Sequence, residues 1–293
     1  MSNLTFRQAT MADKEAIVAL SSQIWDGHDY LHHKFDAWVA DKQGRFNVVY
    51  DQETLIGCNK LTAHSPTEWW LEGIRVSPQY RGRGIARQLH QYALAVADQI
   101  GHGHLRLSTA DSNQAIQKLC LDTGFTLVSH HLIARLPARP TTNPSPFQPV
   151  TTADFSLFQK KLHQHSLFKS CHGLSNEGWS WYETLPRLPQ WLAEGRLFWW
   201  TPVSAAPHTP PALIIAQKRS ETVCYLNFIA PPTPAALPAL WQDLPQLATR
   251  FGCTHLDAKP VAVEAWQQAI QQAAGELRDF GSLVYERPLP LIH

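Results

Sequence analysis

The stretch "VSPQYRGRGIARQLHQYA", residues 76–93, joins an apolar run to a helix-like run through a proline turn, two glycines and three arginines. Val76 ends a strand-like segment, Pro78 sets a turn, and a long helix is expected from about Gly84 to Gln99. The start of a helix leaves backbone N–H groups without intrahelical acceptors, and the peptide dipoles add about half a positive charge there. Such an end attracts phosphate. Gly82 and Gly84 let an oxygen approach the backbone with no Cβ in the way, and Arg81, Arg83 and Arg87 bring charge beside it. The segment reads as a cradle for a pyrophosphate; the competing reading is a tight turn with solvated arginines.

Context favours the cradle, because the glycines follow a strand and open a helix. Two common phosphate motifs are excluded. A dinucleotide fingerprint needs a third glycine where Arg87 stands, and no Gly-Lys-Ser/Thr follows for a Walker loop. Any anion site must be local, since the net charge of the 293 residues is +1 and gives no general attraction to nucleic acid. With 44% hydrophobic and 17% charged residues the composition is that of a globular protein long enough for two domains. The opening residues lack the basic and apolar run of a signal peptide, no apolar stretch is long enough to span a membrane, and five scattered cysteines show no CxxC spacing. A cytoplasmic location, no membrane contact and no metal are therefore expected. His28, His32, His33, His130 and His131 show no metal-ligand spacing and read as solvated or packed side chains.

Working outward, strands are expected at 4–10, 45–51, 54–64, 68–77 and 104–110, helices at 11–24, 33–40 and 112–122, and two closing strands in "FTLV" and "HHLIARL". The fold class is α+β, a mixed α/β arrangement with a mostly antiparallel sheet and one crossover across the glycine-rich turn. "LPARPTTNPSPFQPV" (136–150) holds five prolines and sustains neither helix nor central strand. The expected organisation is a domain over 1–138, a linker over 139–149 and a second domain over 150–293. The element order returns in that second half in weaker form, with strands at "FQPVT", "RLFWWTPV", "PALIIAQK", "TVCYLNFIA", "THLDAK" and "SLVYER" and helices from Ala153 to Gln164, in "PRLPQWLAEG", from about Pro234 to Arg250 and from Val263 to Ala273. After its third strand "IAPPTPAALPAL" replaces the glycine-arginine turn, so the second copy lacks the cradle.

Arg81-x-x-Gly84-x-Ala86 resembles the Q/R-x-x-G-x-G/A acetyl-CoA signature of the GNAT N-acetyltransferase superfamily, and the element order of residues 4–136 resembles that fold, a twisted central sheet flanked by helices. The second half resembles a degenerate GNAT-like copy. The resemblance implies an enzyme that uses acetyl-CoA as co-substrate, with backbone amides of Arg81, Gly82, Arg83, Gly84, Ile85 and Ala86 on the pyrophosphate. It implies the pantetheine arm pairing against Ile74 and Val76, where the fourth and fifth strands splay, and a cofactor contact from Asn113. Transfer of acetyl to an amine needs the amine neutral, so a general base helps. Glu72 matches the strand glutamate that serves many members; alternation puts Trp70, Glu72 and Ile74 on one face unless a bulge intervenes, and Trp69, Trp70 and Leu71 would raise its pKa. The alternative is a strand-edge glutamate paired with Arg75 or another surface cation. Where the family often carries an acidic tyrosine, four residues before Gly124-Phe125, this chain has Cys120. Cys120 then acts as the acid or is a small buried hydrophobe, and Tyr30 or water is the other donor.

"IWDGHDYLHHKFDAW" (24–38) resembles the matching stretch of the vertebrate histidine N-acetyltransferase type in Trp25, Gly27, Asp29, Tyr30, Leu31, Lys34, Phe35 and Trp38. Asp29 is expected to hold a substrate ammonium or to act as a turn residue; Tyr30, Trp38 and Trp70 are expected to wall the acceptor. The function so implied is acetylation of a small-molecule primary amine, a free amino acid such as histidine being one candidate, by direct attack on the thioester. Alternatives are a non-catalytic acyl-CoA sensor and a protein N-terminal or lysine acetyltransferase. The expected partner is the small amine, with a monomer or homodimer and no nucleic acid.

Overall fold

In the segments that precede and follow the glycine turn, apolar periodicity decides the local structure. In α3 (Ile85–Ile100) the buried residues Ile85, Leu89, Ala93 and Ala97 recur every fourth position and turn one stripe to the sheet. The computed structural model describes residues 4–141, 144–203 and 209–290. Before the turn run β1 (Leu4–Gln8), α1 (Lys14–Ser21), α2 (Leu31–Ala40), β2 (Arg45–Asp51), β3 (Thr54–Ser65) and β4 (Glu68–Val76). After α3 come β5 (Gly103–Ala110), α4 (Gln114–Asp122), β6 (Thr126–His131) and β7 (Ala134–Pro137). The second half holds β8 (Phe147–Pro149), α5 (Phe155–Gln164), α6 (Ser166–Ser170), β9 (Leu174–Glu177), β10 (Ser180–Glu183), α7 (Leu188–Ala193) and β11 (Leu197–Trp200). It continues through β12 (Ala212–Lys218), β13 (Val223–Ala230), α8 (Leu237–Asp243), α9 (Pro245–Arg250), β14 (His255–Ala258), α10 (Glu264–Gln272), β15 (Glu276–Leu277) and β16 (Ser282–Leu289).

The strands form two seven-stranded sheets, ordered β1-β2-β3-β4-β5-β16-β6 and β15-β7-β14-β13-β12-β11-β8. Pairing from β1 to β4 is antiparallel, and β4 meets β5 in parallel. Each sheet takes one strand from the far side of the proline-rich stretch: β16 enters the first and β7 the second. Contacts accordingly divide the chain into one unit made of the chain up to Leu107, Lys118–Thr126 and the chain from Tyr285 on, and another made of Ser108–Gln117 and Leu127–Val284. The boundaries fall inside β5, α4, β6 and β16 and not at a single cut at 139–149; Thr142 and Asn143 of that stretch lie outside the described residues.

In the first unit Ile17, Leu20, Leu31, Phe35 and Trp38 of α1 and α2 cover one face of the sheet with Phe46, Val48 and Cys58. Ile85 and Leu89 of α3 cover the other with Val49 and Ile56. In the second unit two departures from expectation stand out. The single helix expected over 234–250 is broken into α8 and α9, because Pro245 has no N–H to donate and opens a new first turn. The β9-β10 hairpin, antiparallel from Leu174 to Glu183, was not expected at all.

A buried acid ties the start of the chain to the first sheet. Asp13 is 1% exposed and receives Arg7 Nη2 and Nη1 at 2.6 and 2.8 Å, Tyr50 Oη at 2.6 Å and the Thr10 amide at 2.7 Å. Burial alone would raise its pKa, but the hydrogen bonds from Arg7, Tyr50 and Thr10 hold the carboxyl well below the usual carboxylate range. A depressed carboxylate contributes stability that is present above its unfolded pKa of 3.8 and lost as pH falls below it. Asp13→Asn is expected to cost about 1–3 kcal/mol at neutral pH, since Arg7 stays solvated, and to flatten the acid limb below about pH 4 in urea titrations.

Candidate active site

The register of β3 on β4 contains the decisive irregularity. Lys60 lies opposite Glu72 and Cys58 opposite Arg75, so a two-residue step on β3 faces a three-residue step on β4. The extra residue is a bulge at Gly73, whose φ is +65°. A side chain is excluded there twice over, by that left-handed φ and because a Cβ would stand 2.5 Å from the Trp38 ring. The bulge resets the alternation: Arg75 joins the face of Glu72, whereas Ile74 and Val76 pack towards Ile85 and Leu89. The expected grouping of Ile74 with Glu72 is corrected for that reason.

Glu72 is half-buried and accepts a 2.7 Å hydrogen bond from Thr62 Oγ1. Desolvation raises its pKa above the usual carboxylate range, with Thr62, Lys60 and Lys34 pulling the other way. A carboxylate that is easier to protonate than usual is what a general base requires. The alternative pairing with Arg75 does not occur. Arg75 Nε and Nη2 instead donate to Asp29 Oδ2 at 3.0 Å and Oδ1 at 2.9 Å, on a carboxylate fully withdrawn from solvent. Asp29 is thereby committed to Arg75, which removes it as a free partner for a substrate ammonium.

Aromatic rings enclose this pair. The Arg75 guanidinium lies 4.2 Å from the Trp25 ring centroid and 5.2 Å from that of Tyr30. Tyr30 meets Trp38 edge to face at 6.2 Å, and its phenol, with Arg75 and Glu72 as charged neighbours, has a pKa raised chiefly by burial. Trp25 and Asp26 have φ of 48° and 53°, a left-handed conformation costly for non-glycine residues, and the stack on Arg75 helps to hold it. Trp70 is buried and stacks on His64 at 6.1 Å. Tyr30, Trp38 and Glu72 are thus brought together, along with Thr62 and Arg75. Thr62 carried no motif, and only the β3-β4 register reveals it.

The turn that follows β4 is open. Ser77 N donates to Ile56 O at 2.8 Å, a short 3₁₀ turn covers Pro78–Tyr80, and Gly82 and Gly84 take φ of +75° and +76° before α3 begins. A Cβ added at either glycine would meet nothing within 4 Å. Glycine is required there by the backbone, and space lies beside it. Arg83 stacks over Tyr80 at 5.0 Å and Arg87 binds Asp122 at 2.7 Å, so these two arginines have partners within the unit. β4 pairs with β5 only from Glu68 to Trp70, opposite His104 to Arg106; Leu71–Val76 run on beyond that register.

Two other expected residues have local roles of their own. Asn113 precedes α4 and its Oδ1 accepts from Ile116 N at 3.3 Å, the role of a helix cap. Cys120 is wholly buried in α4, and burial pushes its thiol up to about 12. Tyr285 of β16, remote in sequence and unmarked by any motif, stands near enough to Cys120 that a charge on the thiol adds to burial in raising the tyrosine pKa.

A sheet antiparallel from β1 to β4, whose parallel β4-β5 pairing stops at Trp70 before a glycine-rich helix start, has the arrangement of the GNAT fold. The family model described as "Acetyltransferase (GNAT) family" matches residues 14–125, and that stretch is a GNAT acetyltransferase domain. Among curated proteins, histidine N-acetyltransferase of Oreochromis niloticus is 32% identical over 90 residues, which are 30% of this chain and 27% of the relative. The match spans about a quarter of the length of that relative. Among solved structures, a GCN5-related N-acetyltransferase from Sphaerobacter thermophilus covers 99% of this chain and 97% of its own at TM-score 0.65 and 12% identity. A putative acetyltransferase from Thermoplasma acidophilum covers 97% and 99% at TM-score 0.59 and 13% identity. Both share the fold over both halves of the chain.

Gly73→Ala is expected to lower stability by about 1–3 kcal/mol, from the left-handed φ and the clash with Trp38, and by more than Gly82→Ser, which has the φ without the clash. Thermal unfolding of the two variants checks it.

Proposed function

We propose that the protein is an acetyl-CoA-dependent N-acetyltransferase acting on the primary amine of a small molecule, by direct attack of the amine on the thioester. The observation that carries this reading is Glu72, a half-buried carboxylate with a raised pKa on the strand that leads straight into the open Gly82 and Gly84 turn. The turn fits a pyrophosphate: left-handed glycines without a side chain, free space beside them and the unpaired amides of a helix start. Acetyl-CoA bound there supplies the acetyl group as a thioester. Amides of Gly82 to Ala86 hold the pyrophosphate, the Arg81 amide being taken by Pro78 O at 3.4 Å, and the backbone of Ile74 and Val76 lies along the pantetheine arm, with Ile74 O accepting from Arg75 Nη1 at 3.0 Å. Asn113 as a further contact rests on the family resemblance alone.

Glu72 takes a proton from the incoming amine, directly or through water, and Thr62 fixes the orientation of the carboxylate. Tyr30, Trp38 and Trp70 wall the acceptor, with Arg75 held behind them by Asp29. The departing sulfur needs a proton, and a thiol as reluctant as that of Cys120 is a poor source; Tyr285 is our candidate donor, with Tyr30 second. An aromatic acceptor region and relatives named histidine N-acetyltransferase support a free amino acid as acceptor.

The test is thiol release from acetyl-CoA with amino acids, polyamines and aminoglycosides as acceptors. Because the carboxylate form of Glu72 is the active one, kcat/KM should fall as pH drops through a pKa above the ordinary 4.5. Glu72→Gln should lower kcat/KM by about 10²–10⁴-fold and remove that limb, and Tyr285→Phe should lower kcat by about tenfold or more at unchanged KM. Full activity of Glu72→Gln would remove the base from this account. Binding of acetyl-CoA by a wild type that acetylates no amine would favour a non-catalytic acyl-CoA sensor.

A further inference from the structure

The second unit lacks the cradle. β13 runs into Pro231 and Pro232, and Pro234 opens the next helical turn, so prolines stand where the first unit presents amides. A different part of its sheet is hollow: a cavity of about 380 Å³ lies among β7, the β9-β10 turn, β13, the end of β14 and β15.

The polar groups around this cavity are unevenly matched. Lys259, directly after β14, is 8% exposed and its Nζ has no hydrogen-bond partner. It lies 3.6 Å from the ring centroid of Trp179, which the Phe280 ring stacks against at 6.4 Å. Its backbone is held in place by the His131 ring on the Lys259 carbonyl at 3.1 Å. Asp257 is committed to Arg135 through two hydrogen bonds of 2.7 and 2.8 Å, and the Tyr225 hydroxyl donates to Asn176. Arg219 lies 5.1 Å over the Tyr225 ring, and Arg278 and Glu276 line the same cavity. Four basic side chains therefore face two acids, one of which is already bound to Arg135. Ile133 and Leu277 supply an apolar wall.

We propose that this cavity binds a small organic carboxylate, whose oxygens take the hydrogen bonds of Lys259 Nζ and the charge of Arg219 and whose apolar body lies against Ile133, Leu277 and Trp179. A buried ammonium without an acceptor is unfavourable until a ligand brings one. The modest cationic excess and the apolar wall suit a monoanion with a hydrophobic body better than a phosphate dianion. Burial, with the charge of Arg219, pulls the Lys259 pKa down to about 7, so binding of a carboxylate is coupled to protonation of the Lys259 amine and is lost as pH rises. The other titratable neighbours do not reproduce this. Burial lowers the His131 pKa to about 3, leaving the ring neutral from pH 6 upward; the other charged groups that line the cavity are Arg135, Arg219, Arg278, Asp257 and Glu276.

Calorimetry on the full chain with benzoate, benzamide and inorganic phosphate tests the site independently of acetyl transfer. Benzoate should bind, benzamide about tenfold or more weakly than benzoate, and phosphate more weakly still. Between pH 6.5 and 8.5 the benzoate affinity should fall about tenfold or more. Lys259→Met should weaken benzoate about tenfold and remove the pH dependence, and Arg219→Gln, at an exposed position, should weaken it several-fold if the first variant does not fold. Equal binding of benzoate and benzamide, tighter binding of phosphate, a pH-independent affinity or no benzoate binding at millimolar concentration would overturn the proposal.

Discussion

The bulge at Gly73 is the constraint on which the first unit turns. One extra residue in β4 moves Arg75 onto the face of Glu72 and sends Ile74 and Val76 towards α3. It brings the backbone directly under the Trp38 ring, which no side chain at 73 would permit. Beyond it β4 has left the register of β5 and continues to the helix start at Gly84. A regular strand would place Arg75 on the opposite face, away from Asp29, and would leave Trp25 and Tyr30 without the cation they stack on.

Burial then divides the labour among similar groups. Glu72 and Asp29 are both carboxylates on or facing one sheet surface, yet Asp29 is satisfied by a bidentate guanidinium while Glu72 accepts from the neutral Thr62 hydroxyl. The first is structural; the second stays easy to protonate. Cys120 and Lys259 show the same physics with opposite sign, burial raising the thiol and lowering the ammonium.

Much of this was legible in the sequence. The period of α3, the strands around it and the open glycine turn follow from local pattern, and Glu72 followed from its place before the turn. Long-range pairings were not. Gly73 inside a strand admits a bulge but does not demand one, and the choice of Asp29 over Glu72 by Arg75 depends on where α2 begins in space. "SLVYER" reads as the same strand in either sheet, so its entry between β5 and β6, and with it Tyr285, was invisible. Lys259 lay unnoticed because nothing local marks a lysine whose burial comes from the β9-β10 hairpin and β15.

The central claim is that the turn of Gly82 and Gly84 holds a pyrophosphate and thereby presents the thioester to Glu72. Its most direct test is the affinity of the wild-type chain for acetyl-CoA beside that for S-acetylpantetheine, which keeps the thioester arm and lacks the pyrophosphate. The account predicts that acetylpantetheine binds about a hundredfold or more weakly; equal affinities would contradict it.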